Sequence, residues 1–306
     1  MKNHLLSLET FNKEKIFSLI EKAEQIKEKP KEFSCQMNGK NLLSLFEKPS
    51  LRTRISFEIA MNQLGGNALT FDSQALPLGN KESIEDTAKV VSRYVDVVMA
   101  RMYSHKELEK FAENSDVPVI NGLTNKFHPC QVLSDLLTIK EKKKSLDGLK
   151  LSFFGDGNNN VTHSLLLGCA LTGIDIVIAC PKKHSPQEEI IKKAEEFADK
   201  SKIIVTNDTE KAVDGADIIY TDSWMSYHIK QEEKKQRLIE FAPFQVTKKL
   251  LSKADESVIF MNCLPAQRGY EQTAEVIDGP NSVVFDQAEN RMHMQKAILL
   301  YTLGLL

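Results

Sequence analysis

"NLLSLFEKPSLRTRISFE", residues 41–58, carries an apolar run into a turn that packs Ser50, Arg52, Thr53 and Arg54 together. The run reads as a buried strand. "SLRTRISFEIAMNQL" (50–64) comes next as a helix with an apolar stripe, closed by Gly65-Gly66. A strand feeding a helix through a short turn is the repeating unit of an α/β fold. With a helix start near Ser50, the first free N–H groups and the positive dipole end face an incoming anion. Arginine adds planar, forked donors suited to phosphate. The plain alternative is a capped helix with surface arginines.

The same alternation continues along the chain. Strands are expected at 41–46, 67–72, 95–101 and 117–123, then at 149–156, 174–181, 202–208, 216–222 and 257–265, with helical stretches in most gaps. Near-continuous apolar strands spaced by helices indicate parallel sheets covered on both faces. The expected fold class is α/β, with two doubly wound parallel-sheet domains and an active site in the cleft between them. Their expected limits are 1–140 and 141–285, joined through the lysine-rich end of "CQVLSDLLTIKEKKK" (130–144). The last stretch, 286–306, reads as an amphipathic helix that packs back on the first domain.

Composition narrows the function classes. The 306 residues are 42% hydrophobic and carry 40 Lys+Arg against 42 Asp+Glu, a balance that gives no support for a nucleic-acid coat or a membrane-surface patch. No apolar run reaches the roughly 18 residues a membrane span needs, and "MKNHLLSLETFNKEK" lacks a signal-peptide core. Five cysteines without a CxxC spacing favour a reducing cytoplasm over a disulfide framework or a structural zinc site. His128 and Cys130 are two candidate ligands, too few for a closed metal site.

In open parallel sheets, ligands bind beyond the carboxyl ends of the strands. Six unusual segments fall there: the Ser50–Arg54 turn, Arg101, "NKFHPCQ" (125–131), "GDGNNN" (155–160), "TDSWMS" (221–226) and "NCLPAQRG" (262–269). Arg101 ends a strand as apolar as "VDVVMA", so phosphate or a phosphorylated metabolite leads as ligand class. His128 and Gln131 together could hold a carbonyl oxygen and an NH2 group, or form an ordinary turn. "GDGNNN" invites a dinucleotide reading, but the third glycine of that fingerprint is Asn160 here, and the next strand ends in "CPKK" rather than an acidic residue. Cys263 and Asp222 share one sheet edge; no oriented base near Cys263 argues for a covalent nucleophile.

Together these motifs resemble the aspartate/ornithine carbamoyltransferase family over nearly the whole chain. "FEKPSLRTRISFE", "HPCQVLSDLLTI", "GDGNNN", "DSWMS", "FMNCLPAQRG" and "VVFDQAENRMHMQKA" match it in order and spacing. The resemblance implies transfer of the carbamoyl group of carbamoyl phosphate to the δ-amine of L-ornithine, giving L-citrulline and phosphate. Ser50, Leu51, Arg52, Thr53 and Arg101 would hold the phosphate, with Arg291 completing the anion site. Thr53, Arg101 and His128 would polarise the carbonyl oxygen; Gln131 and the backbone near Cys263 and Leu264 would engage the amino group. Asn160, Asp222, Ser226 and Tyr227 would form the ornithine pocket, with Cys263 and Asp222 near the δ-amine. No metal or organic cofactor is implied by this scheme, and a cytoplasmic homotrimer is.

The chain departs from the family pattern at three places. Ser226-Tyr227-His228 stands where Ser-Met-Gly is usual, Asn262 replaces a histidine before Cys-Leu-Pro, and Pro77 replaces glutamine or histidine. The competing readings are another amine acceptor (N-acetylornithine, N-succinylornithine, putrescine, aspartate), a nicotinamide-dependent dehydrogenase, and a non-catalytic anion-binding regulator.

Overall fold

The computed structural model describes residues 2–72, 82–225, 229 and 231–306. They form two compact units, Met1–Leu137 with Glu289–Leu306, and Thr138–Ala288. In the first unit β1 (Asn41–Phe46), β2 (Asn67–Asp72), β3 (Val97–Arg101) and β4 (Val119–Leu123) make a parallel sheet in the order β2-β1-β3-β4. Its helices are α1 (Lys13–Glu28), α2 (Leu51–Gln63), α3 (Ile84–Val91), α4 (His105–Asn114) and most of α5 (Pro129–Lys143). The chain winds outward from β1 to β2, then resumes on the other side at β3. That reversal makes β1/β3 the topological switch point, where loops diverge and leave room for a ligand. Arg101, last in β3, pairs in register with Phe46, last in β1.

The second unit repeats the logic. Strands β5 (Lys150–Phe154), β6 (Asp175–Ala179), β7 (Ile203–Thr206), β8 (Ile218–Thr221) and β9 (Ile259–Met261) lie parallel in the order β7-β6-β5-β8-β9. Its helices are α6 (Asn160–Thr172), α7 (Glu188–Phe197), α8 (Thr209–Val213), α9 (Lys234–Phe241), α10 (Lys248–Leu251) and α11 (Ala274–Ile277). The switch point falls between β5 and β8, whose last residues Phe154 and Thr221 are in register. Each sheet has its own core. Leu108 and Phe111 of α4 pack with Val98, Ala100 and Val119 in one, and Phe260, Ile219 and Phe154 pack with Val246 and Ile277 in the other. Each such fully buried side chain contributes on the order of 1.5–3 kcal/mol.

All the expected strands except 41–46 and 67–72 are shorter in the structure, and three of the departures from the sequence expectation have local reasons. The strand expected at 95–101 begins at Val97, because Asp96 uses its carboxylate to accept from Asn41 N–H and Lys40 Nζ. The strand expected at 257–265 stops at Met261, where Asn262 Oδ1 takes the N–H of Leu264 and Leu264 turns to φ 57°. The final helix, α12 (Val284–Thr302), is not amphipathic: polar Gln287, Asn290, Arg291, Gln295 and Lys296 are as buried as Met294 and Ile298. Among the described residues no helix is long and apolar enough to cross a membrane.

Candidate active site

In the first unit, the strand-to-helix turn forms because Pro49 cannot extend the ladder and Ser50 caps the helix beyond it. Ser50 sits in extended geometry, its Oγ accepts from Thr53 N–H at 3.3 Å, and the two hydroxyls lie 3.0 Å apart in a hydrogen bond of their own. No acidic residue occupies the first turn of α2, so its positive end is not neutralised from within the helix. Thr53 is 1% exposed and is the hub of the cluster. Arg291 Nη2 donates to its Oγ1 at 2.9 Å and Arg101 Nη1 at 3.5 Å. Arg291 also donates through Nη1 to Gln131 Oε1, and Gln131 Nε2 donates to Asp135 Oδ1 at 2.8 Å. Four segments distant in sequence are thus gathered around one hydroxyl.

His128 joins this cluster from the turn before α5. That turn is built locally: Thr124 N–H donates to Phe127 O and Phe127 N–H to Thr124 Oγ1. His128 then ends the extended stretch, with its carbonyl accepting from Gln131 N–H at 3.2 Å. Burial, then Arg291, Arg101 and Lys48, hold its imidazole well below the ordinary histidine range. It is therefore a neutral ring at physiological pH, able to donate one N–H without giving up a proton. Burial pushes the neighbouring Cys130 thiol up to about 12, so it is an inert packing group that donates to Asn121 O.

Sequence alone does not single out Lys48. It is 6% exposed and stands over the Tyr103 ring at 5.6 Å. Its signal is a cation between a strand end and a proline, a position the backbone keeps extended. Arg54, in contrast, leaves the turn: it is exposed and pairs with Glu58 at 3.0 Å, the ordinary i,i+4 helix pair. Arg52 is half-buried and Leu51 exposed at the first position of α2.

In the second unit, the loops after β5, β8 and β9 carry the remaining residues. Cys263 Sγ donates to Asp222 Oδ1 at 3.1 Å, so these two meet, as their shared sheet edge suggested. Asn159 caps α6 by accepting from Thr162 N–H at 2.8 Å, which places half-buried Asn160 as the first residue of that helix. Leu264 holds a left-handed backbone fixed by Asn262, whose own Nδ2 donates to Gln272 Oε1. The histidine-to-asparagine departure thus has a definite structural task here. Ser226, Tyr227 and Pro77 lie outside the described residues.

The glycines of "GDGNNN" are used by the protein itself. A Cβ on Gly155 would stand 3.1 Å from Trp224 Nε1, and one on Gly157 would meet His184 O at 2.7 Å and Pro186 Cδ at 2.9 Å. Their bareness admits neighbouring chain, not a pyrophosphate, and the dinucleotide reading loses its basis.

Family models match both parts of the chain. Residues 3–141 match the carbamoyl-P binding domain of aspartate/ornithine carbamoyltransferase, and residues 147–302 its Asp/Orn binding domain. An ornithine carbamoyltransferase of Methanocaldococcus jannaschii is 46% identical, over 97% of this chain and 98% of its own. One from Pyrococcus furiosus, described as anabolic, is 48% identical over 98% and 96%. The solved structure of an ornithine carbamoyltransferase from Pyrococcus furiosus superposes with a TM-score of 0.95 at 46% identity, covering 100% of this chain and 98% of that one.

Proposed function

This chain belongs to the aspartate/ornithine carbamoyltransferase family, and from that premise we propose how its two units divide the work of an ornithine carbamoyltransferase. The reaction moves the carbamoyl group of carbamoyl phosphate to the δ-amine of L-ornithine, releasing L-citrulline and phosphate. The first unit takes carbamoyl phosphate and the second takes ornithine. The observation that carries this assignment is Thr53, buried at the start of α2 and receiving both Arg291 and Arg101 beside a neutral His128.

Ser50, Leu51, Arg52 and Thr53 hold the phosphate at the helix start, where the N–H groups of Leu51 and Arg52 lie outside the Ser50 cap on Thr53 N–H, and Arg101 and Arg291 add charge-assisted donors. Arg101, Thr53 and His128 face the carbonyl oxygen, where negative charge grows as the amine attacks. A neutral imidazole suits this task, since it stabilises an oxyanion without neutralising it by proton transfer. Gln131 takes the carbamoyl NH2.

Asn160, Asp222, Ser226 and Tyr227 hold the ornithine head group, with Cys263 and Asp222 near its δ-amine. The carboxylate of Asp222 favours an amine-bearing substrate and would repel the side-chain carboxylate of aspartate. A free alkyl ammonium has a pKa of about 10.4, so the amine must enter or become neutral, and desolvation favours that form. Its lone pair then forms the C–N bond, the C–O bond to phosphate breaks, and the departing phosphate takes the amine's proton. The step closes without a metal or an organic cofactor.

A homotrimer and a cytoplasmic setting complete the proposal. A partner-facing surface is supported by Leu51, Ile55 and Ile59, exposed at successive turns of α2, and by edge strand β2 with Leu69 and Phe71 exposed. The testing experiment offers purified protein carbamoyl phosphate with L-ornithine, N-acetylornithine, putrescine or aspartate, with Arg52→Ala alongside. Citrulline formed with ornithine and lost in Arg52→Ala supports the assignment; turnover with another amine alone overturns the second-substrate reading.

A further inference from the structure

The chain's one tryptophan, Trp224, lies two residues past Asp222 and is gripped by its main chain from both sides. Its carbonyl accepts from Arg237 Nε at 2.8 Å, and its N–H donates to Glu271 Oε1 at 3.2 Å. Neither partner stops there. Arg237 also pairs through Nη2 with Asp156, whose own main-chain carbonyl accepts from Asn159 and Thr162 in the turn that starts α6. Glu271 uses its other oxygen, Oε2, to accept from Gln267 N–H at 2.9 Å, in the loop beyond Cys263. The indole stacks on Phe241 with centroids 5.7 Å apart, and Arg237 lies over the same ring at 4.8 Å. Asp156, Trp224, Arg237 and Glu271 are 4%, 2%, 6% and 1% exposed, so all four are buried.

We propose that Arg237 and Glu271 are positioning residues for the amino-acid substrate, clamping the Trp224 backbone so that Asp222, Asn160 and Cys263 keep a common geometry. This rests on the assignment of those three residues to the ornithine pocket. A buried charge is costly unless it is paired and hydrogen-bonded. Two such charges placed on one peptide stretch are therefore a strong fixture. Each joins a different loop to Trp224: Arg237 the loop after β5, Glu271 the loop after β9. The Cys263–Asp222 contact at 3.1 Å is the geometry they maintain.

The clamp is separable from folding by conservative variants. Arg237→Lys keeps a positive charge for Asp156 but loses the fork that reaches Trp224 O as well. Glu271→Gln keeps the shape, yet its NH2 must face one of two N–H groups that now find an oxygen. Kinetics and the fluorescence of Trp224 are read together in both variants. The expected result is a rise of about 10–100-fold in KM for ornithine, with KM for carbamoyl phosphate within about twofold, and a red-shifted, more quenchable Trp224 emission. Variants that lose thermal stability but keep the wild-type KM for ornithine and wild-type emission overturn the clamp. Wild-type protein that makes no citrulline would overturn the functional assignment instead. Emission alone then decides whether Trp224 is clamped, and unchanged emission in both variants rejects it.

Discussion

Thr53 Oγ1 is a shared acceptor, facing the Ser50 hydroxyl at 3.0 Å, Arg291 at 2.9 Å and Arg101, the most distant, at 3.5 Å. Arg291 is the more demanding donor, since one planar fork spans Thr53 and Gln131. Lysine at that position carries the charge but reaches a single acceptor, so Arg291→Lys is expected to lower kcat/KM for carbamoyl phosphate by about 10–100-fold, measured by citrulline formation. His128 carries a pH prediction. Its folded pKa is held down by burial and by three nearby cations, so it stays deprotonated well below the usual imidazole range. Between pH 6 and 7.5 the acid limb of kcat/KM is therefore expected to have the same shape in wild type and His128→Gln, even though the variant is slower. A wild-type break near pH 6.5 that vanishes in the variant would contradict the neutral-ring reading. Much at this scale was legible in sequence, because Arg101, His128, Asp222 and Cys263 are chemically out of place at apolar strand ends. Arg237 and Glu271 were not legible. In "EEKKQRLIEF" one buried arginine looks like every solvated one, and only the fold shows that it turns inward.

Elements turn these residues toward one another. The start of α2 depends on Ser50, whose side chain both caps the helix and orients Thr53. Ser50→Ala is expected to cost about 0.5–2 kcal/mol in urea unfolding and to weaken carbamoyl phosphate binding at the same time. A loss of stability without a change in binding would separate the cap from the site. At the head of α4, His105 is buried against Thr124 and Phe127, and burial followed by Lys126 lowers its pKa to about 4. An unfolded chain binds the proton near pH 6.5, so stability is fully present above that value and falls as pH drops from 6.5 through 4. The loss is at most about 3 kcal/mol, and His105→Gln is expected to flatten it in thermal melts between those pH values. Strands β1 and β2 were readable to the residue because apolar runs end at strong stop signals. The end of β9 was not, since "NCLP" is apolar enough to continue a strand until Asn262 bends it. The closing helix misled for a related reason. Its Gln287, Asn290 and Arg291 bond inward, which composition alone cannot reveal.

At the scale of the whole molecule, two sheets each reverse their winding once, and each reversal opens where the unusual residues cluster. This plan was legible from alternation, as strands with no polar face must be covered by helices on both sides. The exposed stripe of Leu51, Ile55 and Ile59 on α2, with Leu69 and Phe71 on the sheet edge, makes the assembly testable. Light scattering is expected to give about three times the 34.5 kDa chain mass, and Ile55→Asp with Leu69→Asp to give the single chain. The central claim, that the Thr53 cluster is the carbamoyl-phosphate site of an ornithine carbamoyltransferase, is tested most directly by Thr53→Val, which keeps the shape and removes the shared acceptor. Citrulline formation should be followed with each substrate varied in turn. The account predicts that wild-type protein makes citrulline, and that the variant raises KM for carbamoyl phosphate at least about tenfold while KM for ornithine stays within about twofold. Absence of citrulline in wild type, or an unchanged KM for carbamoyl phosphate in Thr53→Val, would contradict it.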